Sequence, residues 1–267
     1  MKQFFLAIGI IFLCSCKQGT QRKQTRDHLS LMPEAPAWGA LWQQRAAEYR
    51  ALSYQAYNSA RLSLDRILEQ PSGRQRAIVT DVDETVLDNS PYYIHLAMKH
   101  AGYADSSWIS WTKQVACDSV PGAPSFFQYA ASRGLTVFYI TNRIGGDQQQ
   151  TVENLKKYNF PNADTSHLML MSTTSDKEAR RQVVLKDYDI VMLLGDNLGD
   201  FSSLFDNKEM NSRLEWTEKN KESFGKEFIV LPNHMYGNWE EAYYRDQQLK
   251  TAGDSNAFLQ TLLNSYP

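Results

Sequence analysis

Asp81 and Asp83 stand one residue apart in Ile78-Val79-Thr80-Asp81-Val82-Asp83-Glu84-Thr85, directly after an apolar run. If the strand stays extended, their side chains share a face. No Lys or Arg lies between Arg76 and Lys99, so two carboxylates held this close are costly unless a cation sits beside them, and a hard divalent metal is the natural solution. The pair suits phosphoryl transfer. One Asp attacks phosphorus to form an aspartyl phosphate; the other protonates the departing oxygen and later deprotonates the water that resolves the intermediate. The metal neutralises charge between nucleophile and phosphate. A solitary Asp-x-Asp also occurs in sugar transferases and in plain acidic loops, so further groups are needed.

The segment Gly195-Asp196-Asn197-Leu198-Gly199-Asp200-Phe201 supplies two more carboxylates after another apolar run. Helix capping around Leu198 explains one of Asp196 and Asp200 but poorly explains both, and Gly195 is expected to permit a tight turn. Between the acidic segments lie Thr141-Asn142-Arg143 and Lys177, a hydroxyl and cations that can hold phosphate oxygens and offset carboxylate charge. Alone, Thr141 reads as a strand-end cap, and Lys177, in the charged run from Ser175 to Arg181, as part of a solvated helix face.

These groups must be positioned by the elements around them. Five short apolar runs, Ala77–Val79, Leu135–Ile140, Leu168–Met171, Ile190–Leu194 and Phe228–Leu231, are separated by stretches long enough for helices, which predicts an α/β fold with a parallel sheet flanked by helices. Small or polar residues follow each run, and ligands bind at the carboxyl ends of parallel strands, so the five ends are expected to converge on one crevice. From Ala37 to Glu69, apolar residues recur at three- and four-residue steps with no Pro and with Gly only at position 39, predicting one long amphipathic helix or two in line. Segments 37–70, 92–124 and 239–267 are expected to form a helical accessory layer beside the sheet. No clear strand is visible in the second of these.

With 28 Lys plus Arg against 30 Asp plus Glu and a net charge of -2, no bulk field attracts nucleic acid or an anionic membrane. The apolar stretch Phe4 to Leu13 after Lys2 is too short for a spanning helix but suits a signal-peptide core of roughly 7–15 residues. It leads to Leu13-Cys14-Ser15-Cys16, where a small residue precedes Cys16. This pattern resembles a bacterial lipobox, so residues 1–15 are expected to be a signal peptide, Cys16 the lipidated first residue, and 16–36 a polar tether. A plain signal peptide with two incidental cysteines is the alternative. With Cys16 lipidated, Cys117 is the free thiol, expected buried or half-buried, and no intrachain disulfide forms.

In their order along the chain, Asp81-x-Asp83, Thr141, Lys177 and the Asp196/Asp200 pair resemble the four motifs of the haloacid dehalogenase (HAD) superfamily. Ile78 to Tyr92 and Ile190 to Phe201 are similar to the two signatures of the class C acid phosphatases, the lipoprotein e family of bacterial 5′-nucleotidases. Leu231 to Glu240 is similar to that family's C-terminal signature. The resemblance runs from about Ala37 to the C-terminus. It implies Asp81 as nucleophile, Asp83 as acid/base with its backbone carbonyl on the metal, Asp196 as a direct Mg²⁺ ligand and Asp200 as a supporting one. It also implies Thr141 on the phosphate, Lys177 between phosphate and nucleophile, and a lipid anchor at the outer membrane.

Asn89, Tyr92, Asn142, Arg143 and Tyr236 are candidate substrate contacts, the two tyrosines because aromatic rings beside strand ends can stack on a nucleobase. For Trp108 and Trp111, packing is the expected role. The expected activity is Mg²⁺-dependent hydrolysis of nucleoside 5′-monophosphates and other small phosphate monoesters. The alternatives are a phosphatase for sugar phosphates and a non-catalytic surface lipoprotein that binds phosphorylated ligands.

Overall fold

The computed structural model describes residues 35–206, 209–244 and 252–263. The expected leader at 1–15, Cys16 and most of the tether lie outside them. Ala35 and Pro36, placed in the tether on sequence, instead open the first helix, where proline is tolerated because its missing N–H has no helical partner.

The chain passes through α1 (Ala35–Arg45), α2 (Ala47–Leu68), β1 (Gln75–Thr80), β2 (Leu87–Asp88), α3 (Ser90–Met98), α4 (Asp105–Thr112), β3 (Asp118–Ser119), α5 (Ala123–Ser132) and β4 (Thr136–Ile140). It continues with α6 (Gln148–Lys157), β5 (Leu168–Met169), α7 (Glu178–Asp187), β6 (Tyr188–Gly195), α8 (Met210–Lys219), β7 (Phe228–Val230), α9 (Asn238–Tyr244) and α10 (Ala252–Leu262). The long helical pattern resolves into two helices, because Ala46 is extended at φ -78° and ψ 128°. Along α2 the buried stripe is Tyr49, Ser53, Tyr57, Ala60 and Leu64, steps of three and four residues. Leu52, which fits the sequence pattern, points outward.

Five strands pair in parallel in the order β5-β4-β1-β6-β7. Each matches one apolar run, with ends shifted by a few residues. β1 lies in the centre, and Asp81 N still donates to Leu194 O at 2.9 Å as the chain leaves the sheet. The alternation of strand side chains divides the core. Ile78, Val137, Tyr139, Met192 and Leu194 pack with Tyr57, Ala60 and Leu64 of α2 and with Phe126, Phe127 and Ala130 of α5. Ala77, Val79, Phe138 and Ile140 pack on the other face with Val184 of α7. A parallel sheet covered on both faces reads as near-continuous apolar runs, which is why the strands were visible in sequence.

The segment between β1 and β4 holds α3 and α4, as expected of a helical layer, together with a two-stranded ribbon, β2 with β3, that the sequence did not announce. Two residues per strand are too few to show a period. The ribbon places Asn89 and α3 above the end of β1. In the loop just before β2, Thr85 O accepts from Tyr57 Oη of α2 at 2.6 Å.

Candidate active site

The carboxyl ends of β1, β4 and β6 open into a cavity of about 630 Å³. On its floor, Asp81, Asp196 and Asp200 each present a carboxylate oxygen, all within 4.8 Å of one another. Lys177, at the start of α7, donates to Asp81 Oδ1 and pairs with Asp200 Oδ1 at 2.6 Å. Asp200 also does the capping work considered from sequence: its Oδ2 accepts from Asn197 N at 2.9 Å. Each oxygen of Asp200 therefore has its own task. Asp196 is held by Asn233 Nδ2, which donates to its Oδ2 at 2.7 Å.

Gly195 is needed for a reason other than a turn. It remains in strand conformation, and a Cβ there would lie 2.3 Å from Asp200 Oδ2. Only glycine leaves room for the Asp200 side chain to fold back over the strand end.

The Asp83 carboxylate stands outside the floor cluster. Arg143 grips it through Nε at 3.0 Å and Nη2 at 2.7 Å, Asn89 Nδ2 donates to it at 2.8 Å and Thr141 Oγ1 at 3.3 Å. Both Asp81 and Asp83 line the cavity, so one carboxylate is bound to the acidic floor and its neighbour is aimed separately by a guanidinium fork. Arg143 Nη1 is fixed in turn by donating to Thr151 Oγ1 at 3.0 Å.

Burial raises the Asp81 carboxyl to about 7; Lys177 opposes the rise, while Asp200 and Asp83 reinforce it. Burial, then repulsion from Asp200 and Asp81, also pushes Asp196 well above the carboxylate range. For Lys177, burial disfavours the cation, but Asp200 and Asp81 outweigh this and keep it protonated. Arg143 is likewise opposed by burial and held charged by Asp83.

The family model for HAD superfamily, subfamily IIIB (Acid phosphatase) matches residues 13–239. The chain belongs to this family. It is similar to the class C acid phosphatase of Bacillus anthracis, at 36% identity and a TM-score of 0.83 over 88% of this chain and 99% of that one. A structure of a class C acid phosphatase from the same organism with tungstate bound matches at 35% identity, with the same TM-score and coverage. Acid phosphatase 1 of Solanum lycopersicum is 26% identical over 166 residues, 59% of this chain. The chain spans 57% of that curated relative's length. Fold and family are those of class C acid phosphatases of the HAD superfamily, which are phosphoric monoester hydrolases.

HAD phosphatases typically use a divalent metal, and the residues of this chain fit one. Asp81, Asp196 and Asp200 bring oxygen donors together beside the single ammonium of Lys177, and burial plus mutual repulsion raise two of the three carboxyls. A hard divalent cation would relieve that excess of negative charge.

Of the expected substrate contacts, Asn142, Arg143 and Tyr236 line the cavity, but Asn89 and Tyr92 do not. Asn89 is fully buried and committed to Asp83 and Glu84, with Trp111 Nε1 donating to its Oδ1 at 2.9 Å. Tyr92 is buried between Tyr93 and Trp108, its hydroxyl 2.8 Å from Ser107 Oγ. It packs α3 on α4 instead of facing the opening. Thr141 is buried, accepting from Arg143 N at 3.1 Å as well as donating to Asp83. Cys117 is buried and free, as expected, with burial raising its thiol to about 12.

Sequence reasoning missed Glu84 and Tyr93. Glu84 has a positive φ of 56° and is fully buried, where it accepts from Asn89 N at 2.7 Å and from Tyr236 Oη at 2.5 Å. Tyr93 stacks on Tyr236 with ring centroids 4.8 Å apart and planes 18° from parallel. With Tyr103, Trp108 and Leu96 these rings form an apolar wall above the acidic floor. The aromatic composition of α3 was visible in sequence, but which ring faced outward was not.

Proposed function

We propose that the chain is an Mg²⁺-dependent phosphomonoesterase that hydrolyses nucleoside 5′-monophosphates and other small phosphate esters through an aspartyl phosphate on Asp81. The observation that carries this reading is the meeting of Asp81, Asp196 and Asp200 around Lys177 beneath an aromatic wall. The tungstate held by the Bacillus anthracis relative, an oxyanion of phosphate-like shape, supports reading the cavity as an oxyanion site.

Asp81 Oδ attacks phosphorus, while Lys177 sets the carboxylate's position and offsets charge on the phosphoryl oxygens. Asp83, aimed by Arg143 and Asn89, delivers a proton to the leaving oxygen and then takes one from the water that cleaves the acyl phosphate. Asp81, Asp196 and Asp200, with the Asp83 backbone carbonyl, would hold Mg²⁺, which supplies charge neutralisation between nucleophile and phosphate. The stacked Tyr93–Tyr236 pair supports a planar leaving group such as a nucleobase.

Hydrolysis of AMP, nicotinamide mononucleotide and glucose 6-phosphate by the purified protein, with Mg²⁺ and after chelation, tests the reading. A preference for the sugar ester would discard the nucleotidase assignment, and turnover indifferent to chelation would discard the metal. A lipid anchor at Cys16 is part of the same proposal and rests on the lipobox-like sequence. Mass spectrometry of the mature N-terminal peptide checks it, and an unmodified Cys16 would overturn it.

A further inference from the structure

The charged run from Ser175 to Arg181 reads in sequence as a solvated helix face, yet two of its arginines are turned inward. We propose that Arg180 and Arg181 are positioning residues that divide the site between them, Arg181 fixing the acidic metal loop and Arg180 the phosphate loop. The assignment of those two loops rests on the function proposed above; the affinities that test it do not require turnover.

Arg181 is almost fully buried. Its Nη1 donates to the backbone carbonyls of Gly199 and Asp200, both at 3.0 Å. Its Nη2 and Nε are braced on Glu178 Oε2 at 2.8 and 3.2 Å. One guanidinium thus grips the main chain of the residue whose carboxylate joins the floor cluster and pairs with Lys177.

Arg180 turns to a different loop. Its Nη1 donates to Thr141 O at 2.6 Å, and its Nη2 to Asn142 Oδ1 at 2.7 Å, Ser175 O at 3.2 Å and Asp176 O at 3.3 Å. It ties the end of β4 to the residues just before Lys177. Neighbours on a helix project about 100° apart, which lets adjacent side chains reach the ends of β4 and β6 while Lys177, one turn earlier, reaches Asp81 at the end of β1. Each arginine spans several carbonyl acceptors with a planar fork, which an ammonium cannot reproduce. Neither lines the cavity, so both act through the residues they hold.

Arg181→Lys and Arg180→Lys keep the charge and remove the fork, and Arg→Met variants give the harsher test. Calorimetric titration reads Mg²⁺ affinity; tungstate affinity is measured at saturating Mg²⁺; thermal unfolding checks that each variant folds. Arg181→Lys is expected to weaken Mg²⁺ binding about 10- to 100-fold, the scale for groups that orient metal ligands, with tungstate affinity at saturating metal unchanged. Arg180→Lys is expected to weaken tungstate binding and raise KM about tenfold, with Mg²⁺ affinity unchanged. Wild-type affinities in both Lys variants, or equal losses of both ligands in each, would overturn the division. If a Met variant fails to fold, the Lys variants carry the same readout. If the variants show the split but the wild-type protein turns over no phosphate ester, the proposed function is overturned and the positioning roles stand.

Discussion

The acidic floor of the cavity and the aromatic wall above it are held by different means. On the floor and at its edge, each carboxylate has at least one directional partner from another segment: Lys177 for Asp81 and Asp200, Asn233 for Asp196, and Arg143 for Asp83 beside them. The wall is packed ring against ring from α3, α4 and the segments beside them, and is linked downward by Tyr236 Oη on Glu84 and by the Arg143 guanidinium over the Trp108 ring. Charged hydrogen bonds fix angle as well as distance, whereas stacked rings tolerate sliding. On the proposed mechanism, the bond-making groups sit at strand ends fixed by charged hydrogen bonds, and the leaving-group contacts on segments held by ring packing.

The contrast is open to challenge by substitution. Asp81→Asn should lower kcat on an aryl phosphate by on the order of 10³-fold or more, because it removes the proposed nucleophile with a near-isosteric side chain. Near-wild-type turnover would remove the floor from the chemistry. Arg143→Met should destabilise the protein by about 3 kcal/mol or more, since it leaves the Asp83 carboxylate without the partner of a largely buried ion pair; urea denaturation measures this. A loss well under 1 kcal/mol would mean that the floor is not rigidly tied. On the wall, Tyr236→Leu should raise KM for AMP about tenfold, the scale of one lost base stack, and leave KM for glucose 6-phosphate nearly unchanged. Equal effects on both esters would assign Tyr236 to the fold instead of the leaving group.

The smallest expected effect concerns the joint between the two regions. Glu84 is raised from 4.5 to about 8, chiefly by burial and then by Asp88 and Asp83. Between these two values the folded chain keeps a proton that the unfolded chain has released. Its contribution to stability therefore falls as pH rises through that window. Glu84→Gln should flatten this decline, seen as a smaller difference in Tm between pH 5 and pH 8 than in the wild type. An unchanged slope would assign the pH dependence to other groups.

Much of the floor was legible in sequence because chemistry constrains residue type. Asp81, Lys177, Asp196 and Asp200 had to be charged, and each lies just past an apolar run or at a helix start. The parallel sheet was legible for the same reason, its strands being buried on both faces. Gly195 was noticed for the wrong property: close approach of a side chain leaves no periodic trace. Tyr92 was expected at the substrate because it adjoins a strand end, but sequence does not say which side of α3 faces the opening; Asn89, also expected there, precedes α3 and spends its amide on Asp83 and Glu84. Glu84 was hidden by its neighbours, one more acid in an acidic stretch, and its role comes from contacts over 152 residues to Tyr236 and 41 residues to Gln43. Arg180 and Arg181 were hidden because a solvated charged helix and a helix stapling two loops have the same composition.

The outer strands of the sheet are unusually brief. β5 pairs through two residues and β7 through three, while the three central strands carry the long hydrogen-bonded registers. A short border offers a neighbouring molecule few free N–H and C=O groups to match. Crowded copies of the protein thus have little footing for joining edge to edge into extended β-aggregates.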